Sequence, residues 1–240
     1  MKPAIVIANL SKTFRERGKP VYALRNISLS VRKGEIFGLL GPNGSGKTTL
    51  INAMITLVKP EKGKVRLLGV DPYANRAVLS KTNYVPTASR AHWRQTPLDI
   101  LVTYARLYGV KNPHERISKL IERFGISRFK RRMWYTLSTG EQARVRIAKG
   151  LINSPDVLLL DEPTLGLDPK SANAIRTELK RINRQTRLTI FLTSHNMNEI
   201  SQLAHRIGFI KDGRLVHVGS VAAIKRRYGS LERYWMRMES

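Results

Sequence analysis

The sequence contains no cysteine among its 240 residues. This absence excludes disulfide bonds, thiolate metal sites and cysteine nucleophiles, and it is compatible with a reducing compartment. Long hydrophobic runs are also missing, because the longest ones, Ile36 to Leu40 and Val157 to Leu160, are far shorter than the roughly twenty residues that a membrane-spanning helix needs. The opening residues show no secretory leader pattern, so we expect the chain to stay in the cytoplasm.

Acidic residues are scarce: 17 Asp and Glu stand against 43 Lys and Arg, which gives a formal net charge of +26. Such an excess calls for an acidic counterpart. Anionic lipid headgroups would attract the chain by about 1 kcal/mol per basic group near the surface, nucleic acid would do so through counterion release, and a solvated basic surface is the third interpretation. Basic residues are spread along the chain, and runs such as Arg128 to Arg132 lack a stacking pattern of aromatics, so nucleic acid is the weaker partner prediction.

A glycine-rich loop follows the apolar run Glu35 to Leu40, which is predicted to be a buried strand. The loop fits the phosphate-binding pattern G-x-x-x-x-G-K-[ST]. Its glycines let successive N–H groups turn toward a polyphosphate, and the helix that begins near Lys47 adds its positive N-terminal end. Lys47 is expected to reach the β and γ phosphates and Thr48 to offer its hydroxyl to Mg²⁺. The predicted nucleotide contacts here are Gly41, Pro42, Asn43, Gly44, Ser45, Gly46, Lys47, Thr48 and Thr49.

Two adjacent carboxylates, Asp161 and Glu162, end the apolar run Val157 to Leu160. Such a run is typical of a parallel strand covered on both faces. Asp161 is predicted to hold the Mg²⁺ shell. Because side chains alternate along a strand, Glu162 is expected to point the other way and to orient or deprotonate the attacking water. The alternative is a pair of solvated acids in a turn before Pro163.

The six residues Leu137-Ser138-Thr139-Gly140-Glu141-Gln142 resemble the signature of ATP-binding cassette (ABC) ATPases. The usual form is L-S-G-G-Q, so Thr139 and Glu141 replace a Gly and a Gln. From the residues alone, Ser138 caps the helix that follows, with Glu141 completing a capping box. The resemblance further implies that Ser138 and Gly140 face the γ phosphate of an ATP bound to a second copy of the chain.

Further segments carry the same resemblance. Leu165-Gly-Leu-Asp168 is similar to the loop that crosses the dimer centre, which adds Asp168 to the nucleotide contacts. Thr193-Ser194-His195 resembles the switch segment, whose histidine, His195, would hydrogen-bond the γ phosphate and sense ATP or ADP. The implied catalytic residues are therefore Lys47, Glu162 and His195. Phe14 matches the adenine-stacking aromatic, with an ordinary strand residue and a stacking role for Tyr22 as alternatives.

One position departs from the family pattern. A glutamine that contacts Mg²⁺ and relays to the membrane partner is usual where this chain has Thr87. Threonine is shorter by about two bonds and would act at best through a bridging water. Gln95, eight residues later, is expected in the helical region. The metal and coupling role of Thr87 stays open.

The order of patterns predicts one α/β domain over residues 1–240: a P-loop NTPase core with an N-terminal antiparallel β region, about 1–86 and 154–240, and an inserted α-helical subdomain, about 87–153. The predicted helices cover Thr48 to Leu57, Ile100 to Tyr108, and a segment whose apolar face carries Ile117, Leu120, Ile121 and Phe124. Predicted strands cover Lys64 to Leu68, Val157 to Leu160, Leu188 to Leu192 and Arg206 to Lys211, with a hairpin at Asp212-Gly213.

Ile36 to Gly44, Leu107 to Gly109 and Gly166 to Pro169 look like the ABC-2 type exporters, whose ATPase is a separate polypeptide. The resemblance implies an ATP-hydrolysing subunit that forms a homodimer, uses Mg²⁺ and drives a transmembrane permease from the cytoplasmic face of the cell membrane. The alternatives are a soluble ABC ATPase acting on nucleic acid or ribosomes, which the charge favours, and a non-hydrolysing regulatory subunit, which Thr87 and the altered signature favour.

Overall fold

The computed structural model describes residues 2–87 and 93–239. Two long strands open the chain, β1 (Pro3–Glu16) and β2 (Lys19–Arg32), and they pair antiparallel. Arg17 and Gly18 join them with φ values of 48° and 80°, the left-handed conformation that two-residue hairpin turns favour. β4 (Lys62–Leu67) pairs with the other edge of β1 and completes a three-stranded sheet. The antiparallel β region is therefore confirmed, although its strands are longer than the short ones predicted.

A second sheet consists of six strands: β3 (Ile36–Leu40), β5 (Thr82–Val85), β6 (Val157–Asp161), β7 (Thr189–Ser194), β8 (Arg206–Lys211) and β9 (Arg214–Ser220). Their order in the sheet is β5-β6-β7-β3-β8-β9, with β9 the antiparallel member. Every residue of β3 and β6 is buried, as their apolar runs predicted, and every residue of β7 is buried too.

The central sheet separates two hydrophobic cores. Along β6, Leu158 and Leu160 belong to one core, whereas Val157 and Leu159 belong to the other, because side chains alternate across a strand. The second core also holds the three-stranded sheet and α1 (Lys47–Met54). Both faces of the parallel sheet are thereby covered, which explains why β3 and the first four residues of β6 are apolar throughout.

Between β5 and β6, the described residues form three α-helices: α2 (Pro97–Leu107), α3 (Pro113–Arg123) and α4 (Thr139–Gly150). Short 3-10 helices cover Arg76–Lys81 and Trp134–Thr136. The predicted apolar face of α3 is buried, at Ile117, Leu120, Ile121 and Phe124. α2 begins three residues before the predicted start, because Thr96 and Asp99 form a capping box there. Residues 88–92 of the predicted helical insertion lie outside the described residues, and the bounds of that subdomain stay a prediction.

The remaining helices are α5 (Pro169–Thr186), α6 (Met197–Leu203), α7 (Val221–Tyr228) and α8 (Leu231–Glu239). α1 ends at Met54, three residues before the predicted Leu57, and the left-handed φ of 62° at Thr56 is incompatible with a longer helix. Asp212 and Gly213 form the predicted hairpin between β8 and β9. Among residues 2–87 and 93–239, none of the helices combines the length and apolarity required to cross a membrane.

Candidate nucleotide-binding site

A cleft of about 580 Å³ lies at the carboxyl ends of β3, β6 and β7. These strands are neighbours in the parallel sheet, so the residues that follow each of them meet at one edge. The glycine loop, the carboxylate pair and the histidine segment come together in this way. The cleft is lined by Phe14, Val21, Tyr22, Ala23, Asn43, Gly44, Ser45, Gly46, Lys47, Thr48, Thr49, Thr87, Asp161, Glu162, Leu165 and His195.

The glycines of the loop are required by its geometry. Gly46 has φ 104°, and a Cβ there would lie 2.3 Å from the carbonyl oxygen of Ala23. A Cβ on Gly41 would lie 2.3 Å from the carbonyl oxygen of Ile210. α1 begins directly after the loop without a side-chain cap, and the buried Ser45 Oγ has no hydrogen-bond partner. Uncapped amides and an unpartnered hydroxyl beside a cleft suit the oxygens of a polyphosphate.

Lys47 is held inside the loop and is only 6% exposed. Its Nζ donates to the carbonyl oxygens of Gly41 at 2.7 Å and Pro42 at 3.1 Å. The same Nζ lies 3.4 Å from Glu162 Oε1, a buried oxygen that accepts no hydrogen bond. The ammonium group is therefore positioned between the phosphate loop and the carboxylate, with its charge balanced by Glu162.

Asp161 connects three structural elements through its carboxylate. Thr48 Oγ1 on α1 donates to Oδ2 at 2.9 Å, and Thr193 Oγ1 on β7 donates to Oδ1 at 2.5 Å. The hydroxyl of Tyr84 on β5 donates to Oδ2 at 3.4 Å. The pKa of Tyr84 is raised, mainly by burial and to a lesser extent by the Asp161 charge. A threonine hydroxyl beside a carboxylate at a phosphate loop is a donor set that fits Mg²⁺, which takes few protein ligands and otherwise keeps waters and phosphate oxygens.

Glu162 does not follow the alternation expected of a strand. β6 ends at Asp161, and Glu162 has a left-handed φ of 49°. Its amide donates to the carbonyl oxygen and to Oγ1 of Thr193, both at 3.2 Å. The prediction that Glu162 points away from Asp161 is therefore wrong, because the chain has left strand geometry and both residues line the same cleft.

His195 lies beside Glu162, with 2.9 Å between Nδ1 and Oε2. The His195 side chain is 43% exposed, so one face remains open to the cleft. The two residues follow adjacent strands, β6 and β7. Glu162 therefore contacts both a lysine and a histidine. These surroundings suit a carboxylate that acts as a general acid or base.

Two aromatic side chains are available at the outer part of the cleft. Phe14 is 40% exposed and Tyr22 is 52% exposed, and they come from the paired strands β1 and β2. Lys12 Nζ lies 5.2 Å from the centre of the Phe14 ring, and the Arg25 guanidinium lies 4.7 Å from that of Tyr22. Both alternatives for base stacking therefore remain.

Thr87 lines the cleft and bonds directly to protein. Its Oγ1 donates to the backbone oxygen of Asp161 at 2.9 Å, and the guanidinium of Arg146 on α4 donates to the Thr87 carbonyl. This position thus links α4 to the residue that carries the candidate metal carboxylate.

Ser138, Gly140 and Asp168 do not line the cleft. Ser138 caps α4 in the predicted capping box: its Oγ accepts from the Glu141 amide at 3.2 Å, and its amide donates to Glu141 Oε2 at 2.8 Å. Asp168 caps α5 by accepting from the Ser171 amide at 2.9 Å. Hydrogen bonding to the Ser171 side chain, and then to this amide, lowers the pKa of Asp168. A Cβ on Gly140 would lie 2.9 Å from Ser171 Oγ. These residues form a second group at the N-terminal ends of α4 and α5.

The fold and the phosphate loop define a P-loop ATPase. A family model described as ABC transporter matches residues 24–165, and a model described as AAA domain, putative AbiEii toxin, Type IV TA system matches residues 130–201. The chain belongs to the ABC transporter family and is an ATP-binding ATPase subunit of that family.

Relatives support the same assignment. The ABC transporter ATP-binding protein NatA of Bacillus subtilis is 34% identical over 92% of this chain and 91% of its own length. The bacitracin transport ATP-binding protein BcrA of Enterococcus faecalis is 33% identical over 95% and 72%, and the methionine import protein MetN of B. subtilis is 34% identical over 90% and 66%. The dimeric ATP-binding cassette MJ0796, bound to ADP and Pi after hydrolysis, has a TM-score of 0.82 and 26% identity over 90% of this chain and 98% of that one.

Proposed function

We propose that this chain is the ATPase of an ABC-2 type exporter, in which two copies close around two ATP molecules and drive a separate transmembrane permease. The observation that carries the proposal is the division of the site. Lys47, Asp161 and Glu162 converge in one cleft, whereas Ser138 caps an exposed helix end outside it.

The phosphate loop would bind the phosphates of ATP. Lys47 Nζ, now bonded to two loop carbonyls, is within reach of the space where the β and γ phosphates would lie. The uncapped start of α1 provides amides and the positive end of the helix dipole. Phe14 or Tyr22 would stack on the base, because both rings stand partly exposed at the rim.

Mg²⁺ would be held by Thr48 and Asp161, and when bound it neutralises charge on the β and γ phosphates. Thr193 and Tyr84 contribute by orienting the Asp161 carboxylate. This arrangement fixes the carboxylate at the base of the cleft before any ligand arrives, so little reorganisation is required.

Glu162 is the group that would act on water. Its Oε2 is held by His195, and its Oε1 lies 3.4 Å from Lys47 Nζ. Oε1 would accept a proton from the attacking water once Lys47 bonds to phosphate instead. The water oxygen forms a bond to the γ phosphorus as the bond to ADP breaks, and phosphate leaves. His195 would contact the γ phosphate with its exposed face, and Lys47 would stabilise the developing charge.

The second half of the site would come from a second copy of the chain. The N-terminal end of α4 presents Ser138 and the first-turn amides outward, which suits the γ phosphate of an ATP held by the partner's loop. Two such contacts related by a two-fold axis form an isologous interface. Hydrolysis removes the γ phosphate that touches both chains, and closure is then no longer favoured.

The exporter assignment is supported by the sequence segments that resemble ABC-2 ATPases, Ile36 to Gly44, Leu107 to Gly109 and Gly166 to Pro169. Docking beneath a permease would place the chain on the cytoplasmic face of the cell membrane, where anionic lipid would attract a charge of +26.

The test uses a Glu162→Gln variant of the full chain. We expect it to bind Mg-ATP as the unmodified chain does, to lose about 10²- to 10⁴-fold in turnover, and to form a dimer that depends on ATP. Sedimentation with and without ATP measures the dimer, and phosphate release measures turnover. Glu35→Gln is the matched control, since it removes a buried carboxylate that does not line the cleft. Normal hydrolysis by Glu162→Gln would refute the assigned role.

A second candidate function, action on nucleic acid or ribosomes, is favoured by the net charge of +26. It predicts salt-sensitive RNA or DNA binding that stimulates hydrolysis. Hydrolysis that RNA and DNA leave unchanged at low salt would eliminate this candidate.

A further inference from the structure

A buried glutamate lies behind the catalytic edge of the cleft. Glu199, on α6, is 3% exposed. Its Oε1 accepts a hydrogen bond from Thr164 Oγ1 and its Oε2 accepts one from Ser194 Oγ, both at 2.6 Å. Neither the loop of the phosphate site nor the proposed reaction accounts for this carboxylate.

The partners of Glu199 differ from those of the other buried glutamate. Glu35 lies 3.2 Å from the guanidinium of Arg206 and accepts from the Arg32 amide. Among the described residues, no cation lies within ion-pair distance of Glu199. Burial raises the pKa of Glu199, and its two hydroxyl partners lower it. The nearby Glu162 charge raises this pKa as well, and the Arg176 charge lowers it. A buried carboxylate that forms no ion pair is costly, and these two hydrogen bonds, together with the Arg176 charge, compensate for its position.

The two hydroxyls flank the reacting groups. Thr164 is two residues after Glu162, and Ser194 immediately precedes His195. Within the same turn, Ser194 Oγ also accepts from the Asn196 amide, and Asn196 accepts from the Glu199 amide. One carboxylate therefore connects the loop after β6 with the last residue of β7, which His195 follows.

We propose that Glu199 is a positioning residue for ATP hydrolysis, which fixes Glu162 against His195 by holding Thr164 and Ser194. This inference rests on the proposed roles of Glu162 and His195. The 2.9 Å contact joins Glu162, which follows β6, to His195, which follows β7. Its geometry therefore depends on the hydrogen bonds that connect these two segments. Glu199 does not line the cleft, and its carboxylate contacts the two segments through the hydroxyls of Thr164 and Ser194.

The primary test is Glu199→Gln. The amide keeps the shape of the carboxyl group but has only one acceptor oxygen, so one hydroxyl loses its acceptor. We expect kcat for Mg-ATP to fall about 10- to 100-fold, because small displacements of reacting groups have effects of this size. KM should change less than about twofold, because the phosphate loop is untouched. Thr164→Val should lower kcat by a similar factor, and combining it with Glu199→Gln should lower kcat little further.

A second readout needs no nucleotide. Amide hydrogen exchange in residues 162–167 and 193–196 of the full chain should become faster in Glu199→Gln, because the connection between the two loops is weakened. The control is Glu35→Gln, which alters a buried glutamate outside the cleft and should change neither this exchange nor kcat. Thermal unfolding confirms that each variant is folded, and Thr164→Val replaces Glu199→Gln if the latter is not.

The inference is overturned if Glu199→Gln and Thr164→Val keep kcat within about twofold of the unmodified chain. It is also overturned if Glu35→Gln lowers kcat equally, because loss of stability alone would then explain the effect. The failure of this inference can be distinguished from the failure of the proposed function. If Glu162→Gln is inactive but Glu199→Gln is active, only the positioning role of Glu199 is refuted. If Glu162→Gln is active, the proposed role of Glu162 in hydrolysis is refuted.

Discussion

The phosphate-loop cleft and the N-terminal end of α4 are both predicted to contact ATP, yet their side chains are held in different ways. In the cleft, Lys47 is buried against the loop carbonyls and Glu162, and the buried Asp161 is bonded to residues of α1, β5 and β7. At the α4 end, Ser138 is exposed and hydrogen-bonds to residues of its own helix. The cleft is thus organised within one chain, whereas the α4 end is an exposed surface that, under the proposed function, meets the ATP of a second copy.

The largest effect is expected on the cleft side, from Lys47→Met. Methionine keeps much of the packing of the lysine stem but removes the charge-assisted bonds to phosphate. Bonds of this kind contribute about 1.5–3 kcal/mol, so we expect ATP affinity to fall by roughly 10- to 100-fold or more. Calorimetric titration of the full chain with Mg-ATP measures the change. Lys119→Met on α3, whose side chain is 66% exposed, is the matched control and should bind normally. Unchanged affinity in Lys47→Met would mean that phosphate binds elsewhere.

Much of this half of the site was predictable because its signals are local. The glycine loop and the apolar runs of β3 and β6 are read directly along the chain, and parallel strands bring their carboxyl ends to one edge. That is why the pairing of Thr48 with Asp161 follows from two separate motifs. The capping box at Ser138 is equally local, since its two residues are three positions apart.

The features that were missed depend on tertiary contacts. Glu162 turns back toward the cleft because its amide bonds to Thr193, a residue of another strand. Glu199 lies on a seven-residue helix, and no pattern around it distinguishes a buried carboxylate from an exposed one. The bonds of Thr87 to Asp161 and Arg146 likewise join residues more than 50 positions apart. A single sequence shows which residues are adjacent along the chain but not which are adjacent in space, so it could not predict these contacts.

A smaller and more selective effect is expected at the α4 end. Asp and Asn cap helices about as well as Ser, so Ser138→Asp and Ser138→Asn should both preserve α4. Only Ser138→Asp would place a negative charge against the γ phosphate. In a Glu162→Gln background, we expect both variants to bind ATP with affinities within about threefold of each other, because the cleft is intact. ATP-dependent dimerisation should require at least about tenfold more ATP for Ser138→Asp than for Ser138→Asn.

The Ser138 pair is compared by sedimentation over a range of ATP concentrations. Two variants that dimerise alike would show that this end of α4 does not meet phosphate, and the contrast between the two halves of the site would lose its meaning. A loss of helix stability cannot produce the expected difference, because the two replacements share the same capping ability. Thermal unfolding at equal protein concentration verifies that point directly.

The smallest effect is expected where the two regions are connected. Thr87→Val keeps the side-chain shape and the carbonyl that Arg146 contacts but removes the hydrogen bond to the Asp161 backbone. The loss of one such bond costs about 1 kcal/mol, which for a chain of this size lowers Tm by roughly 2–4 °C. Thr186→Val is the control: Thr186 Oγ1, at the end of α5 and outside the cleft, donates to the Ile182 carbonyl at 2.8 Å and accepts from the Leu188 amide at 3.3 Å. Thr186→Val should lose at least as much stability, but only Thr87→Val should slow ATP hydrolysis, by less than about tenfold. Equal hydrolysis by the two variants would show that Thr87 stabilises the cleft without influencing its chemistry.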